Sequence, residues 1–266
     1  MQNHNPRKNI LEIQNLTVNL RSNQRIEPLI KGICFDVKEE SIMALVGASG
    51  SGKTTLGLSI LGLLPAAFQV AQGKITFQGK NILEYSPTQM QSLRGKEISM
   101  IFQESLSAFN PVFTIGSQIN EVLEFHTSLN KQKRQQRVWQ LLDIVEISDP
   151  KRVALQYPHQ LSGGMRQRAM IAQAIAADCQ LLIADEPTSN LDVTIQARII
   201  ELFRKLKLSL KISILLITHD LGVVAQLADE VSILSNGQIV EAGGAQEILK
   251  SPKHPFTIRL VEAAIA

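Results

Sequence analysis

No stretch of this chain approaches the roughly eighteen uninterrupted apolar residues that a membrane-spanning helix needs. Any work at a membrane would have to go through a partner. Residues 1–9 are polar and basic with no apolar stretch behind them, which predicts a flexible tail rather than a signal peptide. Cysteine is scarce: Cys34 and Cys179 are the two present. They form no metal-ligand spacing and no disulfide framework, which fits a reducing, cytoplasmic setting and predicts two buried small apolar side chains. The 10 prolines and 16 glycines form no low-complexity tract, so collagen, disorder and coiled coil are excluded as the main architecture. A net charge of +3 is too small to argue for nucleic acid by itself. What is present is an ordinary globular composition, 44% hydrophobic and 19% charged over 266 residues. That length buries a large core without covalent staples.

Apolar patterning then divides the chain. Residues 10–20 alternate as a half-buried strand that accommodates a bulge, and Ile30 to Val37 continue in that style. Ser41 to Val46 is a short apolar run ending in glycine, as a fully buried parallel strand is. Thr54 to Leu64 has helical spacing; Gly73 to Phe77 and Ile98 to Phe102 are strand candidates. From Ile115 to Ile147 the pattern is helical, with Val138, Leu141, Leu142 and Val145 on one face. Lys131, Lys133, Arg134 and Arg137 read as its solvated face, and Trp139 as partly buried. Strand and helix alternate again after residue 177. Leu181 to Ala184 and Ile212 to Thr218 read as buried strands. Val193 to Leu210 and Leu221 to Leu227 read as helices, and Val231 to Leu234 and Gln238 to Glu241 as further strands. The pattern predicts an α/β fold with a parallel-sheet core and a helical stretch of about 104–176 inserted in it.

Gly47-Ala-Ser-Gly-Ser-Gly-Lys53-Thr54-Thr55 fits G-x-x-x-x-G-K-[ST], between an apolar strand and a helix. Glycines let the backbone curl so that successive N–H groups face phosphate oxygens, and the helix adds its positive end. Gly47, Ser49, Gly50, Ser51, Gly52, Lys53, Thr54 and Thr55 are therefore the candidate nucleotide-binding residues. Lys53 is expected on the β- and γ-phosphates and Thr54 on Mg²⁺. Leu181 to Asp185 is an apolar strand ending in two carboxylates. Beside a phosphate loop, Asp185 takes the Mg²⁺-holding role and Glu186 that of a base for water.

Further segments carry a family resemblance. Gln160-Leu161-Ser162-Gly163-Gly164-Met165-Arg166-Gln167-Arg168 resembles the signature of ATP-binding cassette (ABC) ATPases. Phe102-Gln103 stands where that family has its Q-loop, Thr218-His219-Asp220 where it has its switch histidine, and Ser189 to Asp192 where it has its D-loop. The segments follow in the family's order, over residues 10–262. The resemblance implies a P-loop NTPase with a parallel-sheet core, an antiparallel β-subdomain and an inserted α-helical subdomain. It implies that Ser162, Gly163 and Gly164 meet the nucleotide of a partner cassette bound head to tail. A glycine turn opening a helix suits such a second phosphate site. Gln103 joins Thr54 and Asp185 at the metal, His219 contacts the γ-phosphate, and Asp192 communicates across the dimer.

Finer wording resembles the peptide and nickel importer branch: Ser107 to Pro111, Tyr157-Pro-His-Gln, Asp192 to Ala197, and Ser251 to Thr257. That branch pairs two different ATPases with two permeases and a substrate-binding protein. A peripheral place on the cytoplasmic face of the membrane follows, with ATP and Mg²⁺ as ligands. Some members carry a C-terminal cysteine cluster; none is present before Ala266, so no iron–sulfur cluster is expected. The family's adenine-stacking aromatic falls at Leu20, so no adenine residue is named. The alternative is an ABC ATPase acting on nucleic acid or ribosomes. Such members carry long coiled coils or two fused cassettes, and this chain has neither. A third class, a cassette with degraded catalysis, is opposed by Glu186 and His219.

Overall fold

The computed structural model describes residues 8–22, 25–103, 108–189 and 191–265. Most of the residue 1–9 tail, Ser107 of the importer-type segment and Asn190 of the Ser189–Asp192 segment lie outside the described residues. The chain forms two compact units, residues 1–90 with 211–266, and residues 91–210.

The first unit holds a four-stranded antiparallel sheet in the order β2-β1-β4-β5, formed by β1 (Asn9–Ser22), β2 (Arg25–Lys38), β4 (Phe68–Phe77) and β5 (Lys80–Asn81). The bulge in β1 is real. Leu11 and Ile13 are buried, then Leu16 and Val18, so the inward face changes from odd to even positions. The register shifts between Ile13 and Leu16, and Asn15 takes a φ of 49° there. Opposite this kink only a glycine fits, because a Cβ on Gly73 would stand 2.5 Å from Leu16 Cα. Cys34 departs from expectation: it is exposed. Strand alternation puts Ile33 and Phe35 inward and Cys34 outward, where its sulfur accepts a hydrogen bond from the Asn15 amide at 3.1 Å. Cys179 is buried, as predicted.

The same unit carries β3 (Ile42–Gly47), buried throughout, with β8 (Ser213–Thr218) and β9 (Glu230–Ser235) parallel on either side. Strand β10 (Gln238–Gly244) closes antiparallel on β9. Burial on both faces explains the unbroken apolar runs. Beneath them Val46, Val224, Val231, Ile233 and Ile248 pack in one cluster. Helix α1 (Lys53–Ile60) is shorter than its apolar pattern, ending before Gly62 at φ 60° and Pro65.

In the second unit β6 (Ile98–Ile101) and β7 (Leu181–Asp185) pair in parallel. After α2 (Pro87–Leu93), which spans the boundary of the units, come α3 (Ile115–His126), α4 (Lys131–Ile144), α5 (Pro150–Ala154), α6 (Gly163–Ala174) and α7 (Val193–Leu210). Helix α4 packs on α3, α5 and α6. Its buried face is Val138, Leu141 and Leu142, with Val145 beyond its end. Asn130 caps it, accepting from the Lys133 amide at 2.9 Å. Lys131 and Lys133 are solvated, but Arg134 is not: its guanidinium bonds Asn120 at 3.1 Å and Glu124 at 2.9 Å. Trp139 is half-buried with Lys151 Nζ 5.0 Å above its ring. Among the described residues, no helix is long and apolar enough to cross a membrane.

Candidate functional site

In the first unit, β3 delivers the chain to Gly47 and α1 takes it up at Lys53. The loop between is held by close approaches. A Cβ on Gly47 would lie 2.3 Å from the Leu234 carbonyl oxygen, so a side chain there is excluded. Gly52, the residue before α1, has φ 103° and gives the helix no side-chain cap. The first-turn amides of α1 are thus left for a ligand rather than for a serine or aspartate. Gly50 has φ 77°. Lys53 is buried and its ammonium donates to Gly47 O at 2.8 Å and Ala48 O at 3.0 Å, across the mouth of the loop. Ser51 Oγ is buried with no hydrogen-bond partner among the described residues. An unpartnered buried hydroxyl in a glycine-rich loop is a group that an anionic ligand can satisfy. Thr54 is exposed and Thr55 half-buried on the following turn.

The register brings a second element to the same place. Val46 pairs with Thr218, so Gly47 and His219 are the next residues on adjacent strands. His219 is exposed at the end of β8. Behind it Asp220 accepts from the amides of Gly222 at 2.7 Å and Val223 at 3.2 Å, capping α8 (Leu221–Leu227) and fixing the turn that presents the imidazole. A cavity of about 560 Å³ adjoins Ala48–Ser51, with Leu29, Lys31, Asn236, His254, Phe256 and Arg259 in its wall. Lys31 and Arg259 make it cationic. No local pattern in the sequence places these residues at the loop. The segment Ser251 to Thr257 is visible as a motif, but its position depends on Glu241, which accepts from the amides of Lys253 and His254 at 2.8 and 3.0 Å.

In the second unit Ile101 pairs with Ala184, so Phe102-Gln103 and Asp185-Glu186 leave the same end of neighbouring strands. Asp185 is 1% exposed and Glu186 8%, whereas Gln103 is open to solvent. A buried carboxylate is tolerated only with strong partners, and the oxygens of Asp185 and Gln103 are the hard donors that Mg²⁺ prefers. Glu186 has φ 47°, a strained conformation for a non-glycine residue. The turn it starts is closed by Ser189, whose amide and hydroxyl donate to Glu186 O at 3.2 and 2.9 Å.

Ser162 caps α6, its hydroxyl accepting from the Met165 amide at 3.3 Å. The helix begins at Gly163, so both glycines lie in its first turn. A Cβ on Gly164 would come within 2.8 Å of Ile195 Cγ2, so the start of α6 sits closely on α7. Asp192 stands one residue before α7 and accepts from the Ile195 amide at 2.9 Å. The signature turn and Asp192 are therefore joined through the first turn of each helix.

The chain resembles known proteins over most of its length. A family model described as "ABC transporter" matches residues 30–189. The dipeptide transport ATP-binding protein DppD of Bacillus subtilis is 43% identical over 249 residues, 93% of this chain and 74% of that protein. The oligopeptide transport ATP-binding protein OppD of Lactococcus lactis is 43% identical over 256 residues, 96% of this chain and 76% of that protein. Among solved structures, cbiO1 of Clostridium perfringens, described as part of the ABC transporter complex cbiONQ, superposes with a TM-score of 0.79 at 25% identity, covering 96% of this chain and 95% of that one. The cassette MJ0796, solved as a dimer with ADP and Pi, gives 0.79 at 24% identity over 88% of this chain and 98% of that one.

Proposed function

We propose, from the premise that this chain belongs to the ABC transporter family, that it is the ATP-hydrolysing subunit of a peptide importer. The observation that carries the reading is a pair of glycine-bearing helix starts, Gly52-Lys53 and Ser162-Gly164. One suits the chain's own nucleotide and the other the nucleotide of a partner cassette.

The chemistry assigned to the residues is phosphoryl transfer to water, in which positioning and charge neutralisation do most of the work. Gly47, Ser49, Gly50, Ser51 and Gly52 supply amides or room for them, Lys53 neutralises the β- and γ-phosphates, and Thr55 extends the cradle. Thr54, Gln103 and Asp185 would hold Mg²⁺, which when bound offsets phosphate charge. Glu186 accepts a proton from the attacking water as its oxygen bonds the γ-phosphorus. The bond to the β-phosphate oxygen breaks with its electron pair going to ADP. His219 holds the γ-phosphate in the closed geometry. Ser162, Gly163, Gly164 and Asp192 act across the dimer. ATP adds contacts in the closed state that hydrolysis removes, and that difference can swing the permeases.

The partners are a second ABC ATPase, a different chain in preference to a second copy, and two transmembrane permeases. A substrate-binding protein belongs to the assembly indirectly, and nucleic acid does not. Residues 10–262 act as one ATP-binding domain with the helical part at about 104–176. An apolar patch in the second unit suits a permease: Val112 is 69% exposed, Phe113 53% and Leu155 76%. The Ile115 amide donates to Gln156 O at 2.9 Å, tying the two segments of the patch together. Large exposed apolar side chains in one place mark a binding surface. The place of work is the cytoplasmic membrane face. The peptide relatives favour peptide over nickel cargo.

Affinity purification of the chain from gently solubilised membranes, with its companions identified, tests the reading. Two permeases and a second cassette are the expected companions. Ribosomes or nucleic acid in their place overturn the transporter and favour the other class of ABC ATPase.

A further inference from the structure

Helix α4 ends in a left-handed turn. The Ile147 amide donates to Leu142 O at 3.0 Å and the Glu146 amide to Asp143 O at 2.8 Å, with Glu146 at φ 59°. This double bond pattern requires a left-handed residue at the position Glu146 holds, where glycine is cheapest. A glutamate there carries a conformational cost that glycine would avoid.

Its carboxylate meets two other helices. Oε2 accepts from Arg168 Nη1 of α6 at 3.1 Å, and Oε1 from Lys205 Nζ of α7 at 2.6 Å. Arg168 is itself fixed, because the same Nη1 donates to the Val145 carbonyl at 2.6 Å and the side chain is only 11% exposed. The Lys205 arm is solvated. Arg168 lies on the helix that Ser162 opens, and Lys205 on the helix that Asp192 opens. The two helices thus touch near their starts, at Gly164 and Ile195, and are bridged again further along by one carboxylate. Glu146, Arg168 and Lys205 line one cleft of about 640 Å³ with Ser162, Gly164 and Ile195.

We infer that Glu146 is a positioning residue that couples the signature helix α6 to α7, so that a displacement of Asp192 is felt at Ser162–Gly164. The inference rests on the roles proposed above for those two segments. A solvated ion pair is a weak link and a charge-assisted bond to a buried arginine a stronger one. The arrangement therefore has one rigid arm and one that yields.

Three variants of the full chain test it: Glu146→Gly, which keeps the left-handed turn and removes the carboxylate; Glu146→Gln; and Lys205→Met, at a solvated position where folding is not at stake. The first readout is amide exchange. Lys205→Met speeds exchange at the hydrogen-bonded amides of α6 from Arg166 onward, a helix it does not belong to, by about twofold, as loss of a surface pair implies. In the Glu146→Gly background the same change adds nothing, because the shared partner is gone. Exchange in α1 stays as it was. The second readout is ATP hydrolysis in the complex purified from membranes, where the Glu146 variants lower kcat severalfold and leave KM for ATP unchanged. Additive exchange effects, or an unaltered α6 in Lys205→Met, overturn the inference. Ser162→Arg separates it from the reading beneath. If that variant hydrolyses normally, the signature assignment fails and this inference with it. If it is inactive while the Glu146 and Lys205 variants keep full kcat, this inference alone fails.

Discussion

Glu186 holds a backbone conformation that costs a non-glycine residue on the order of 1 kcal/mol or more, and it does so at the mouth of a buried acidic strand end. The strain sits directly beside the buried Asp185, and a task for Glu186 that Asp185 lacks accounts for it. Glu186→Gln keeps the shape and removes the base, so phosphate release falls by about a hundredfold or more while nucleotide remains bound, which a parallel binding titration checks. The two thiols differ as sharply. Burial pushes the Cys179 thiol up to about 12, and Cys34 is exposed. A thiol reagent at neutral pH is expected to modify Cys34 in the native chain and both cysteines only in denaturant. At Glu146 the hydrogen bond from Lys205 holds the carboxyl below its ordinary 4.5, burial opposes this, and the bond from Arg168 assists. The unfolded chain then takes up the proton first as pH falls. The stabilisation is whole above about pH 4.5 and disappears as pH drops through the lower folded value. Acid unfolding of the wild type and Glu146→Gln is therefore expected to converge at low pH and to differ near neutrality.

At the scale of elements, the phosphate loop is a strand, a turn and a helix whose geometry depends on what glycine leaves out. A Cβ on Gly47 would meet a backbone carbonyl at 2.3 Å, which cannot yield as a side-chain tip can. Gly244 has φ −60°, and a methyl group added there would have nothing within 4 Å. Urea unfolding is expected to show Gly47→Ala destabilised by about 1–3 kcal/mol and Gly244→Ala within about 0.5 kcal/mol of the wild type. Helix starts are well marked in the sequence because their caps are local: Asn130, Ser162 and Asp220 each bond amides two or three residues on. Helix ends are less so. Helix α1 stops at Ile60 although apolar spacing continues to Leu64, since a left-handed Gly62 overrides periodicity.

For the whole molecule, a ligand that binds the folded chain raises its stability by mass action. Saturation with Mg-ATP at a hundred times its Kd is expected to add about 2.7 kcal/mol, read as an upward shift of the melting temperature. Lys53→Ala, which loses the ammonium seated on Gly47 O and Ala48 O, is expected to show little of that shift. The fold class was legible because buried parallel strands are uniformly apolar and the inserted helices are periodic. β3 and β8 read as unbroken apolar runs and α4 as one face of a helix.

Motifs, their order and most element types follow from local sequence, since these depend on neighbours within a turn or a strand. Residue spacing alone marks a phosphate loop and an acidic strand end, and the family resemblance adds the signature segment at Ser162–Gly164. What depends on partners far along the chain follows only from the packed fold. Only pairing of β3 with β8 sets His219 level with Gly47, and only pairing of β6 with β7 sets Gln103 level with Glu186. Arg134 reads as a solvated charge until Asn120 and Glu124 are found across the helix pair. The triangle of Glu146, Arg168 and Lys205 joins positions 22 and 59 residues apart, a separation at which no local pattern carries information about contact.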